Sequence, residues 1–170
     1  MSEQPPAQSL IIRRMAVGDL EQVTAIDNQS FSLPWPERSF RYEVLENQAS
    51  RPWVAEIEEN GVRRIAAMAV IWLIIDEAHL ATIAVRPDYR RRGIAQKLLA
   101  TALLAAYAEG ARKVFLEVRR GNTAAQAMYE QFGFAVDGVR PRYYQDNHED
   151  ALLMSIQELD PKRLVAISKA

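Results

Sequence analysis

The stretch that most constrains the fold runs from Leu80 to Ala106, LATIAVRPDYRRRGIAQKLLATALLAA. Its apolar opening, Ile83-Ala84-Val85, reads as a strand that Pro87 ends. A basic segment follows, Arg90-Arg91-Arg92-Gly93-Ile94-Ala95. Then Ala95, Leu98, Leu99, Ala102, Leu103 and Ala106 recur at helical spacing. A strand that feeds a helix through a basic glycine turn presents free backbone N–H groups and a positive dipole end to a phosphate. Gly93 permits close backbone approach, and small Ala95 leaves the helix start uncrowded. The turn has neither the Gly-Lys-Ser/Thr of a Walker A loop nor the G-x-G-x-x-G of a dinucleotide site. On spacing alone, a phosphate cradle and a solvated basic loop both fit it.

What surrounds this stretch is bounded by composition. A length of 170 residues suits one domain, and 49% apolar residues can build its core. The formal net charge of -1 gives no global basic field for nucleic acid or membrane. The absence of cysteine excludes disulfides, a cysteine nucleophile and thiolate metal ligands. With His79 and His148 the only imidazoles, a histidine-rich metal site is excluded too. Met1–Ser9 is polar, with two prolines, and does not read as a signal peptide. The apolar run Ile65–Ile75 is too short to cross a bilayer and suits a core strand. A cytoplasmic protein, monomer or weak dimer, is expected.

Along the chain, a flexible tail is expected over residues 1–9 and a strand over Leu10–Met15. Asp19 is a candidate N-cap, with Gln22 at the capping-box position, for a helix to Ser30 that buries Leu20, Val23 and Ile26. Phe31-Ser32-Leu33-Pro34-Trp35-Pro36 is a stiff, extended connection, and Pro36 suits the start of a helix over Glu37–Asn47. Pro52–Glu58, the turn Glu59-Asn60-Gly61, Arg64–Ile75 and Ala78–Val85 read as an antiparallel meander. Gly110 ends the long helix. The strand Lys113–Val118 then lies parallel to Ala78–Val85, because a crossover joins them. Asn122 caps a helix over Thr123–Gln131 that Gly133 ends. Strands over Phe134–Tyr144 and Ala151–Ile156 flank the polar loop Gln145–Asp150. Residues 158–170 are expected as a C-terminal tail in which a short helix is admissible.

Four stretches in order resemble one family. Arg90-x-x-Gly93-x-Ala95 is similar to the acetyl-CoA motif R/Q-x-x-G-x-G/A of the GNAT N-acetyltransferases. Leu116-Glu117-Val118-Arg119 with Asn122, and Ala127-Met128-Tyr129-Glu130 with Gly133-Phe134, resemble that superfamily's second half. Arg140-Pro141-Arg142-Tyr143-Tyr144 with Glu149-Asp150-Ala151, and Phe31 to Trp35, resemble its RimI-like and Ard1-like protein N-terminal acetyltransferases. The resemblance covers about residues 10–156. One departure is Pro36, where RimI-like chains often carry a serine N-cap.

The resemblance implies an α+β fold over residues 10–157. Its mixed, mostly antiparallel sheet would have about seven strands, with the fourth and fifth parallel and splayed, flanked by four helices. It implies acetyl-CoA as cosubstrate, no metal, and direct transfer in a ternary complex. The acceptor implied is a protein N-terminal α-amine, such as a ribosomal protein's alanine, with no nucleic acid or membrane partner. Backbone groups near Ile83, Ala84 and Val85 would take the pantetheine and thioester carbonyl. Those of Arg90, Arg91, Arg92, Gly93, Ile94 and Ala95 would take the pyrophosphate, with Asn122 also touching the cofactor. Strand alternation sets Glu117 apart from Val114, Leu116 and Val118, so it reads as an exposed carboxylate or a used one; the resemblance implies a general base. Tyr129 reads from its helix as a core aromatic, and the resemblance implies a cofactor-contacting acid for the leaving thiolate. Phe31, Leu33, Pro34, Trp35, Arg142, Tyr143 and Tyr144 would line the acceptor slot. A lysine or small-amine acetyltransferase remains an alternative. So does a non-catalytic CoA-binding or RNA-contacting module that uses Arg86 and Arg90–Arg92 as a basic patch.

Overall fold

The uninterrupted apolar run that begins at Ile65 follows from a strand covered on both faces. The computed structural model describes residues 8–170, so only Gln8 and Ser9 of the expected tail fall within it. The chain runs β1 (Ser9–Arg14), α1 (Leu20–Ser30), α2 (Glu37–Leu45), β2 (Ser50–Glu59), β3 (Val62–Ile74) and β4 (Glu77–Val85). It continues through α3 (Ile94–Ala108), β5 (Lys113–Arg119), α4 (Thr123–Phe132), β6 (Ala135–Arg140), β7 (Ala151–Ile156) and α5 (Pro161–Lys169). Met68 and Val70 of β3 pack with Leu20, Val23, Ile26 and Phe40 of α1 and α2. Their neighbours Ala67 and Ala69 pack with Leu98 of α3, and Ile71 with Leu99 and Leu103. Small alanines on the α3 face let a broad, leucine-rich helix lie close to the sheet.

The seven strands stand in the order β1-β2-β3-β4-β5-β7-β6. All neighbours are antiparallel except β4 and β5. That pair is registered only from Glu77↔Lys113 to Leu80↔Leu116. At the point of separation Val70 faces Thr82 while Ile71 faces Leu80, leaving Ala81 as a bulge residue in β4. Beyond it β4 stays on β3 and β5 stays on β7, so a wedge opens in the middle of the sheet. This is the α+β fold with parallel, splayed fourth and fifth strands that the resemblance implies.

Several local expectations need correction. There are five α-helices among the described residues, not four. Residues 158–170, expected as a tail, hold α5: Leu159 and Leu164 are buried in the core below α3. The signals were local, since Asp160 accepts the Lys162 N–H at 3.0 Å and Pro161 starts the helix. Asp19 does not cap α1 through its side chain. Its carboxylate accepts the Ala16 N–H at 2.8 Å and pairs with Arg13, while Gln22 accepts the Ile65 N–H at 2.9 Å. The second helix stops at Leu45 rather than Asn47. β3 ends at Ile74, and Ile75 forms the turn at a φ of 57°, 91% exposed. The strand expected to Tyr144 stops at Arg140, and Arg142 takes a φ of 53° in the turn that follows. No helix among the described residues is long and apolar enough to cross a membrane.

If α5 belongs to the folding unit, Leu164→Ala should lower stability by about 2–5 kcal/mol, the ordinary cost of emptying a fully buried leucine site. Urea unfolding followed by far-UV circular dichroism measures it.

Candidate functional site

The wedge between β4 and β5 is the floor of a cleft of about 900 Å³. One flank is the edge of β4 beyond its last pair with β5, from Ala81 to Val85. The other is Glu117, Val118 and Arg119 at the end of β5. The first turns of α3 and α4 and the connection after α1 complete its lining.

At the α3 end, Gly93 is the helix N-cap at a φ of 75°, and Arg91 before it also takes a positive φ of 63°. A Cβ on Gly93 would meet nothing within 4 Å, so the requirement there is conformational. The first N–H groups of α3 have no acceptor within the helix, and the residues where it begins, Gly93, Ile94 and Ala95, line the cleft. Ile83, Ala84, Val85, Arg90, Arg91, Gly93, Ile94 and Ala95 all line it. Arg92 does not: it reaches Glu59 at 3.4 Å and lies over the Tyr89 ring at 5.0 Å. Tyr89 is buried and donates its hydroxyl to Glu59 at 3.1 Å, tying the basic turn to the β2–β3 hairpin. Arg90 folds back onto the Val85 carbonyl at 3.1 Å.

Glu117 and Tyr129 line the same cleft from different elements. As alternation requires, Val114, Leu116 and Val118 are buried and Glu117 is not. Its carboxylate pairs with Arg140 at 3.2 Å and accepts a hydrogen bond from the Tyr143 hydroxyl. Tyr129 is 5% exposed and packs edge-on against Phe134 at 5.6 Å. Burial, and then the nearby Tyr144, push its phenol above the ordinary range. It therefore keeps its proton throughout neutral pH. Asn122 is in the cleft wall and caps α4, accepting the Ala125 N–H at 3.1 Å.

Of the expected acceptor residues, Phe31, Leu33, Trp35 and Tyr144 line the cleft. Pro34, Arg142 and Tyr143 do not, although Tyr143 reaches Glu117. Two residues that sequence reasoning missed hold this region in shape. Asp27 of α1 is 1% exposed and accepts the Trp35 N–H at 2.6 Å. The signal was a carboxylate seven positions after Leu20 and four after Val23, on the buried stripe. Burial raises its pKa against the opposing hydrogen bond. Arg119 lies two residues beyond Glu117, hence on the same strand face. Its guanidinium sits 3.8 Å from the Tyr144 ring centre and pairs with Asp146 at 3.1 Å and Glu149 at 3.4 Å.

The model of the Acetyltransferase (GNAT) family matches residues 20–134, from α1 through α4. The chain belongs to the GNAT acetyltransferase family. A Bacillus subtilis relative, provisionally named a ribosomal protein bS18-alanine N-acetyltransferase, is 38% identical over 143 residues, covering 84% of this chain and 92% of its own. The ribosomal protein bS18-alanine N-acetyltransferase of Escherichia coli K12 is 35% identical over 147 residues, covering 85% and 95%. The crystal structure of the ribosomal-protein-S18-alanine N-acetyltransferase from Escherichia coli superposes with a TM-score of 0.77 at 32% identity, over 87% of this chain and 93% of that one. The GNAT assignment thus covers the wedge, the glycine turn and both Glu117 and Tyr129.

The raised pKa of Asp27 gives a sign to its pH dependence. The folded chain holds this proton more tightly than the unfolded chain, so the contribution of Asp27 to stability is full below its unfolded pKa and is lost as pH rises through the folded one. Asp27→Asn keeps an acceptor for the Trp35 N–H and has no charge to bury. Its stability advantage over the parent should be absent in acid and grow across the carboxylate range, as read by urea unfolding at a series of pH values.

Proposed function

We propose that this GNAT enzyme transfers an acetyl group from acetyl-CoA to the N-terminal α-amine of a protein, with a ribosomal protein N-terminal alanine as the acceptor. The observation that carries this is the placement of Glu117 and Tyr129 on one cleft, between a backbone-lined cofactor end and an aromatic-lined acceptor end. The names of the relatives at 35–38% identity support the choice of acceptor. Work on such an acceptor belongs to the cytoplasm.

The residues present fit acetyl-CoA. An unpaired strand edge on β4 suits an amide-bearing pantetheine, and a glycine-capped helix N-terminus suits a pyrophosphate. When bound, acetyl-CoA supplies an activated thioester. β4 N–H groups near Ile83, Ala84 and Val85 would polarise its carbonyl oxygen, an oxyanion-hole role. N–H groups of Arg91, Gly93, Ile94 and Ala95 would hold the pyrophosphate, with charge from Arg90 and Arg91. The acceptor amine has a pKa of about 8, so part of it is neutral at working pH. As its nitrogen bonds to the carbonyl carbon and the carbon–sulfur bond breaks, Glu117 takes the surplus amine proton, directly or through water. Tyr129 gives a proton to the departing sulfur, whose thiol pKa of about 8.5 makes it an undemanding leaving group. Phe31, Leu33 and Trp35 on one side, and Tyr144 on the other, guide the extended N-terminus to that point.

Peptides with a free N-terminal alanine should be acetylated, and the same peptides with blocked N-termini and an internal lysine should not; mass spectrometry locates the acetyl group. Better turnover of the blocked peptides would assign a lysine acetyltransferase instead. Glu117→Gln and Tyr129→Phe should each lower kcat by about 10²-fold or more while acetyl-CoA affinity, read by calorimetry, is retained.

A further inference from the structure

We propose that Arg119 is the positioning residue of the acceptor wall: it locks the loop after α1 to the loop between β6 and β7, so that both present one preformed surface to the incoming chain. This rests on the reading that these two loops take the acceptor.

The loop over residues 141–150 has little core of its own, and most of it is exposed. Besides the Arg120–Asp150 pair at 3.7 Å, one guanidinium on β5 gathers several of its polar groups. Both terminal nitrogens of Arg119 meet the Asp146 carboxylate at 3.1 Å, a two-pronged pairing. One of them also reaches Asn147 at 3.2 Å and Glu149 at 3.4 Å. The plane of the same group lies against Tyr144, one of the rings lining the cleft. Tyr144 in turn packs edge-on with Tyr143, whose hydroxyl meets Glu117.

The other loop is attached to the same point. Arg119 reaches the Ser32 hydroxyl at 3.5 Å, and that hydroxyl donates to Asp146 at 2.5 Å. Ser32 lies between Phe31 and Leu33, which line the acceptor side of the cleft. The two loops are 114 residues apart in the chain at this contact, yet they share one carboxylate. Glu149 secures the far end by accepting the Gly121 N–H at 2.6 Å. Remove the guanidinium, and two carboxylates face each other across an exposed loop with no cation between them. Lysine would keep the charge but neither the fork nor the flat face that lies on Tyr144.

The test compares Arg119→Lys and Arg119→Gln with the parent, using a peptide with a free N-terminal alanine. Both variants should raise the acceptor KM, by about tenfold or more, which corresponds to the loss of one or two charge-assisted hydrogen bonds. The KM for acetyl-CoA should stay within about twofold, and kcat should fall less than the acceptor KM rises. Native chymotrypsin cleavage after Tyr143 or Tyr144 should speed up in both variants. If either variant is poorly folded, Ser32→Ala and Asp146→Asn break the same junction from the exposed loops and should move the acceptor KM in the same direction. An unchanged acceptor KM, an equal rise in the KM for acetyl-CoA, or an unchanged cleavage rate would overturn the proposal. In the first case turnover by the parent would leave the acetyltransferase reading standing; a parent inactive on every free N-terminus would sink both.

Discussion

The structure depends on the parting of two parallel strands. β4 and β5 pair for four residues each and then separate, because β4 continues on β3 through a bulge at Ala81 while β5 remains bound to β7. A gap in the middle of a sheet leaves backbone groups without ladder partners, and such groups are costly to bury unless something satisfies them. The gap is stable here because it is a cleft open to solvent, floored by strands that are each anchored on their outer side. Everything reactive stands around it. The edge of β4 supplies free main-chain groups, the last residues of β5 supply Glu117 and Arg119, and the following helices bring Gly93, Asn122 and Tyr129 to the rim.

The packing explains why this gap holds its shape. Helices α1 and α2 fill one face of the meander, and α3 fills the other. α3 is in turn backed by Leu159 and by Leu164 of α5, so the helix whose N-terminus borders the cleft is held on both sides. The loops after α1 and between β6 and β7, which also border the cleft, have no comparable core. They are positioned by polar contacts instead: Asp27 to the Trp35 backbone, Arg140 and Tyr143 to Glu117, and Arg119 to Asp146. A rigid half and a polar-tethered half therefore meet at the same strand, β5.

How far this was legible in the sequence follows the range of each interaction. The glycine turn, the meander, the Asn122 cap and the inward face of β5 are set by neighbours a few residues away, and their patterns could be read directly. The start of α5 was also legible locally, through Asp160 and Pro161, but a nine-residue helix with one fully buried side chain leaves little periodicity to read. The end of the sixth strand was not legible: Pro141–Tyr144 has strand-like composition, and only the tie from the Arg142 N–H to Asp150 at 3.0 Å shows the chain turning away. The roles of Asp27 and Arg119 depend on partners met only after folding. Ser32 and Arg119 are 87 residues apart, and no spacing rule links them. Asp19 shows the converse, a local motif overridden when Arg13 and Ala16 offered its carboxylate better partners.

The first turns of both α3 and α4 border the cleft, at Gly93–Ala95 and at Asn122–Ala125. Each brings the positive end of a helix dipole to the same space. Peptide dipoles cannot be protonated or deprotonated, and they do not swing away as a lysine chain does. The attraction this cleft exerts on an anion is therefore partly independent of acidity and of side-chain identity. Substitutions among the surface arginines would weaken that attraction without abolishing it, because its main-chain share is built into where two helices begin.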